Sequence, residues 1–162
     1  MSTKALIDRL LDSEEPAESV ITALHELLDD ATAEDADPVP IAEASALTGL
    51  SAATLRYYEA ERLVCPARAG AGYRAYRPAD LRRLVFLTRM RLSGMGMREL
   101  KRYIRLVDDG EHTVAERRQI MIEQRDRIRT RMRELHLALA ATEYKIASYG
   151  GAPAPEMPKA IS

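Results

Sequence analysis

Much of what supports catalysis, metal binding or membrane insertion is scarce in this 162-residue chain. It has a single cysteine, Cys65, so no internal disulfide can form, which fits a reducing, cytoplasmic setting. There is no tryptophan, one phenylalanine and three histidines, and those three (His25, His112 and His136) lie in separate segments. No Cys, His or carboxylate cluster at metal-ligand spacing accompanies them, and no Ser/His/Asp arrangement or phosphate-cradling glycine loop is present. The pattern therefore argues against an enzyme and predicts no metal and no cofactor. No apolar run approaches the length of a membrane span. Met1 to Asp12 mixes acidic residues with leucines and shows no signal-peptide cleavage pattern.

Charge is nearly balanced overall, at −1, but unevenly distributed. Residues 1–40 hold two basic and eleven acidic side chains, a net of −9. Residues 41–107 hold thirteen basic and five acidic, a net of +8, and residues 108–162 hold nine of each. A basic block beside an acidic extension is the electrostatic footprint of a nucleic-acid binder.

Within the basic block, Ile41-Ala42-Glu43-Ala44 and Leu47-Thr48-Gly49-Leu50 predict a short helix closed by a glycine turn. Ser51 can cap a second helix, because its hydroxyl can accept from the free amides of the first turn. Two helices about such a turn form a helix-turn-helix, whose second member enters the DNA major groove. On that member Ser51, Thr54, Arg56, Tyr57 and Tyr58 offer hydroxyl and guanidinium groups suited to phosphates and base edges. Tyr58 is expected partly in the core and Tyr57 toward DNA. Pro66 to Pro78 is too rich in Gly and Pro for a helix. It alternates Tyr73, Arg74, Tyr76 and Arg77 like a two-stranded wing, with Arg68 on its first arm and the wing tyrosines expected toward the DNA backbone.

Thr54-Leu55-Arg56-Tyr57-Tyr58-Glu59, Pro66-Ala67-Arg68 and Gly72-Tyr73-Arg74-Ala75-Tyr76 together closely resemble the MerR family of bacterial transcription regulators. The resemblance continues through Gly94-Met95 and Arg98-Glu99-Leu100 to Lys145-Ile146, covering about residues 39–149. One departure stands out: Arg62 occupies the position after the recognition helix where the family commonly has Gly. Arg62 must then adopt a left-handed conformation at some strain, or the turn is built differently. Metal-sensing relatives carry several cysteines around the dimerisation helix, which are missing here. Electrophile-sensing relatives of short type use a cysteine on the third helix, where this chain has Arg89. Cys65 lies instead at the entry to the wing, where basic neighbours could activate it or it could simply pack.

The chain then reads as follows. Residues 1–38 form an acidic extension with two amphipathic patterns, Leu6, Ile7, Leu10 and Leu11, then Val20, Ile21, Leu24, Leu27 and Leu28. They predict a helical hairpin plus linker, either a partly folded tail or a docking module for a protein partner or for the chain's own basic face. Residues 39–109 are the winged helix-turn-helix domain, including a helix starting at Pro78 and ending at Ser93-Gly94, and another over Met97–Val107. Residues 110–149 form a long helix, since no Pro or Gly interrupts Thr113 to Tyr149. Residues 150–162, with three prolines, are expected to be disordered.

On the long helix Ile128, Leu135 and Thr142 recur every seventh residue, with Met132, Leu139 and Ile146 at the complementary heptad position. A stripe so narrow must be covered, either by the helix folding back on its own domain, which would leave Leu135 to Ile146 uncovered, or, as in the family, by the same helix of a second chain, antiparallel. The fold class expected is thus mainly α: a winged helix-turn-helix with a small β wing and a long dimerisation helix. The resemblance implies a homodimer that binds double-stranded DNA at a pseudo-palindromic promoter site and distorts it for RNA polymerase. The alternative is an architectural or protein-interaction module with mainly non-specific DNA binding.

Overall fold

Helix α1 (Ile41–Thr48) ends where Gly49 takes a left-handed φ of 70°, and α2 (Ala52–Ala60) begins three residues later behind its N-cap, Ser51. The structure, a computed structural model, describes residues 37–150; the expected acidic hairpin and C-terminal tail lie outside the described residues. The chain divides into two compact units between Asp108 and Asp109.

In the first unit, three short strands form an antiparallel sheet in the order β1-β3-β2. They are β1 (Val39–Pro40), β2 (Ala67–Arg68) and β3 (Arg74–Tyr76). The register pairs Val39 with Tyr76 and Arg68 with Arg74. Strands β2 and β3 are the expected wing. Strand β1 was not expected from the sequence: a two-residue strand carries no periodicity, and only its pairing with β3 defines it.

Helix α3 (Pro78–Leu92) starts as its sequence dictates. Pro78 occupies the first turn, where a missing N–H is harmless, and the buried Asp80 carboxylate accepts from the Arg77 N–H at 2.9 Å. Helix α4 (Met97–Asp109) follows a turn at Gly94. The core joins Leu55 of α2, Leu63 and Val64 after it, Leu81, Leu84 and Leu87 of α3, and Leu100 and Ile104 of α4. Each fully buried leucine contributes about 1.5–3 kcal/mol by leaving water. Phe86 and Tyr103 stack across α3 and α4 with ring centroids 5.2 Å apart, and Arg83 reaches Asp108 at 2.7 Å. Lys101 pairs with Glu61 at the end of α2.

In the second unit, Gly110, at φ 104°, opens a turn closed by Thr113, whose hydroxyl donates to the Gly110 carbonyl at 2.7 Å. From there α5 (Val114–Gly150) runs 37 residues without a break, about 55 Å. Among the described residues no helix is long and apolar enough to cross a membrane.

Candidate nucleic-acid interface

The second helix of the helix-turn-helix is anchored by Leu55 and Tyr58, three residues apart and both buried. That spacing sets the rest of the helix: Arg56 and Tyr57 are exposed, Thr54 is half-buried, and Ser51 is exposed at the N-terminus. Ser51 Oγ accepts from the Thr54 N–H at 3.0 Å and lies 2.9 Å from Thr54 Oγ1, so two hydroxyls are held at the helix start. The amino end of a helix also favours phosphate through its unpaired N–H groups. Arg56 stands one turn further along the same helix with its side chain in solvent.

The wing joins this face through one carboxylate. Glu59, at the end of the Thr54–Glu59 motif, accepts from Arg68 Nη2 of β2 at 3.2 Å and from Arg74 Nε of β3. Arg68 also donates through Nη1 to the Gly72 carbonyl at 3.2 Å, bracing the wing loop. That loop closes with the Ala69 N–H on the Tyr73 carbonyl at 2.9 Å and the Gly72 N–H on the Ala69 carbonyl at 3.0 Å. Gly72 has a φ of 79°, a conformation that an L side chain would strain. The hydrogen bond to Glu59 raises the pKa of Arg74, so its guanidinium is firmly charged.

The tyrosines divide. Tyr57 is 48% exposed and Tyr73, at the wing tip, 72% exposed, both available to a ligand. Tyr58 is buried, and burial pushes its phenol pKa up. Tyr76 corrects the outward placement expected from the wing's alternation: it is fully buried, and burial first, then the Glu59 charge, raises its pKa. The reason is that β3 is the central strand and packs against both α1 and α3, so its last residue points into the core. Thus Ser51, Thr54, Arg56, Tyr57, Arg68, Tyr73 and Arg74 remain surface or half-buried residues, while Tyr58 and Tyr76 are packing residues.

Glu59 was not among the site residues expected from sequence. The available signal was its sign, as one of five acidic residues in the basic block of residues 41–107. Cys65 is exposed at the entry to the wing. Among the described residues, no group of three or more His, Cys, Asp or Glu is placed to hold a metal ion.

Residues 39–106 match the family described as MerR HTH family regulatory protein. The chain is 34% identical over 118 residues to the HTH-type transcriptional regulator HmrR of Rhizobium leguminosarum bv. viciae, covering 73% of this chain and 92% of that one. Its fold matches a MerR family transcriptional regulator of Listeria monocytogenes with a TM-score of 0.66 at 34% identity, over 69% of this chain and 86% of the other. It also matches HiNmlR, a MerR family regulator lacking the sensor domain and crystallised bound to promoter DNA, with a TM-score of 0.67 at 30% identity. That match covers 70% of this chain and 91% of HiNmlR. The chain belongs to the MerR family of DNA-binding transcriptional regulators, and its relatives are regulators, not enzymes.

Proposed function

We propose that this MerR-family chain regulates transcription as a homodimer that binds a pseudo-palindromic promoter site and distorts it. The observation that carries this reading is the pairing of a two-part basic face, α2 plus wing, with an uncovered apolar stripe on α5. Met132, Leu135, Leu139 and Ile146 are all more than half exposed, with Thr142 exposed and Ile128 half-buried in the same stripe. A second copy of α5 in antiparallel orientation would cover that stripe and hold two DNA-binding faces on one two-fold axis. Recognition helices in successive major grooves then stand about 34 Å apart.

In this reading Arg56, Ser51 and Thr54 meet base edges or phosphates in the groove, and Arg68, Arg74 and Tyr73 meet the backbone beside it. Bending and untwisting the DNA between half-sites costs about 1–6 kcal/mol, repaid by wing contacts that straight DNA would not allow. RNA polymerase is the partner that would read the realigned promoter. The net charge of −9 on residues 1–40 offers a competitor for the same basic face.

The test is footprinting on DNA from upstream of the protein's own gene, combined with sedimentation and a bend assay. A dimer that protects one short palindrome and bends it supports the reading; broad coating of DNA by a monomer refutes it. Repeating the binding without residues 1–38 shows whether the acidic extension competes with DNA.

A further inference from the structure

Glu59 touches both strand arginines of the wing, Arg68 of β2 and Arg74 of β3, while Arg77 beyond β3 pairs with Asp80. The Glu59 side chain is 21% exposed, that of Arg74 28%, and that of Arg68 55%. The cluster is backed by the fully buried Tyr76, on whose hydroxyl the charges of Glu59, Arg74 and Arg56 all act. A carboxylate as covered as that of Glu59 is less screened than one in open water, and its hold on a guanidinium is firmer.

We propose that Glu59 is the positioning residue of this interface and sets its selectivity: it fixes the wing arginines relative to Arg56 and withholds part of their charge from unspecific phosphate. The inference rests on the DNA-binding reading above. Three facts carry it. Glu59 lies on the same helix as Arg56, one turn away, so wing and recognition helix share a rigid reference. Arginine side chains are flexible, and restraining two of them before DNA arrives removes ordering that binding would otherwise require. One carboxylate between two guanidinium groups also leaves a net single positive charge where two would otherwise face the backbone. Non-specific affinity follows the number of phosphates neutralised, whereas a correctly deformed site gains from geometry as well.

The experiment uses the full chain and two probes: a duplex selected by the wild-type protein from a random-sequence library, and a random duplex of equal length. Both are titrated at several salt concentrations with the wild type, Glu59→Gln and Arg74→Lys. Glutamine keeps the shape and removes the charge. Glu59→Gln is expected to bind the random duplex about 3–10-fold more tightly, with a salt slope steeper by about one, because one more phosphate is neutralised. Its preference for the selected duplex is expected to fall about tenfold. Arg74→Lys, which keeps the charge and loses the Nε donor, is expected to lose preference without tighter random binding; it carries the test should Glu59→Gln not fold. Unchanged preference and slope overturn the proposal, as does an equal loss on both probes that tracks a lowered melting temperature. Should the wild type itself select no duplex over random DNA, the DNA-binding reading fails and takes this proposal with it, a result visible before any substitution is made.

Discussion

Arg62 and Gly94 occupy the same position in two copies of one helix-ending motif. After α2, the Arg62 N–H donates to the Glu59 carbonyl and the Leu63 N–H to the Tyr58 carbonyl, each at 2.9 Å. After α3, the Gly94 N–H donates to the Arg91 carbonyl at 3.0 Å and the Met95 N–H to the Met90 carbonyl at 2.9 Å. In both, the next residue, Leu63 or Met95, is fully buried. The motif demands a left-handed residue, and the two adopt φ values of 57° and 92°. Glycine does so freely, whereas a Cβ there costs about 1 kcal/mol. Arg62→Gly is therefore expected to raise stability by about 0.5–1 kcal/mol, read as a higher urea midpoint. Arg62→Ala, which removes the charge and keeps the Cβ, should gain much less. Equal gains in both would assign the effect to charge rather than to backbone conformation.

This motif also shows what the sequence could and could not reveal. Arg62 was visible as a departure from a glycine position because the flanking residues fix the register, and the structure decides that it takes the left-handed turn. Helix ends with local signals, Ser51, Pro78 and Ser93-Gly94, could be read directly from the chain. Two features could not. The Val39–Tyr76 pairing is long-range and too short for periodicity, so β1 was invisible and Tyr76 looked like an outward wing residue. The convergence of Arg68 and Arg74 on Glu59 depends on how the wing folds over α2, and no spacing rule encodes it.

The Tyr76 hydroxyl is buried with no hydrogen-bond partner among the described residues. Burying an unpaired hydroxyl is costly, so Tyr76→Phe is expected to be neutral or stabilising by about 1 kcal/mol, and to leave DNA affinity within about twofold if the ring only packs. The pH dependence follows from the same burial. Tyr58 and Tyr76 both have pKa values raised above 10.0 in the folded chain. The folded state holds these protons more tightly than the unfolded chain, so their contribution is fully present below pH 10 and is lost as the pH rises through the folded values. Urea melts from about pH 8 to 11 should show stability flat and then falling above about pH 10, with a shallower fall in Tyr76→Phe. A fall beginning near neutrality would implicate other groups.

Ser51 has two separable roles, and substitutions can part them. As N-cap it accepts from the Thr54 N–H, so Ser51→Ala is expected to cost about 1 kcal/mol of stability. Ser51→Asp retains a capping acceptor and places a negative charge at the start of α2. It should fold about as well as the wild type and bind DNA at least about tenfold more weakly, because a carboxylate there repels phosphate. Undiminished binding by a stable Ser51→Asp protein would place the start of α2 away from the backbone.

Helix α5 exposes apolar side chains on more than one side, and this makes the proposed dimer seam testable by contrast. At about 100° per residue, Met132, Leu135, Leu139 and Ile146 share one face, while Leu137 and Tyr144 lie nearly opposite, 71% and 61% exposed. Under two-fold symmetry a seam residue occurs twice in the interface, so Leu139→Asp buries two carboxylates at once. Each unpaired charge costs several kcal/mol, enough to weaken dimerisation by at least about a hundredfold. Sedimentation of Leu139→Asp at micromolar concentration should show monomer, and DNA affinity should fall because one monomer reaches only one half-site. Leu137→Asp should remain dimeric. The reverse pattern would move the interface to the other side of α5, and a dimer in both variants would mean that the protomers are held together elsewhere.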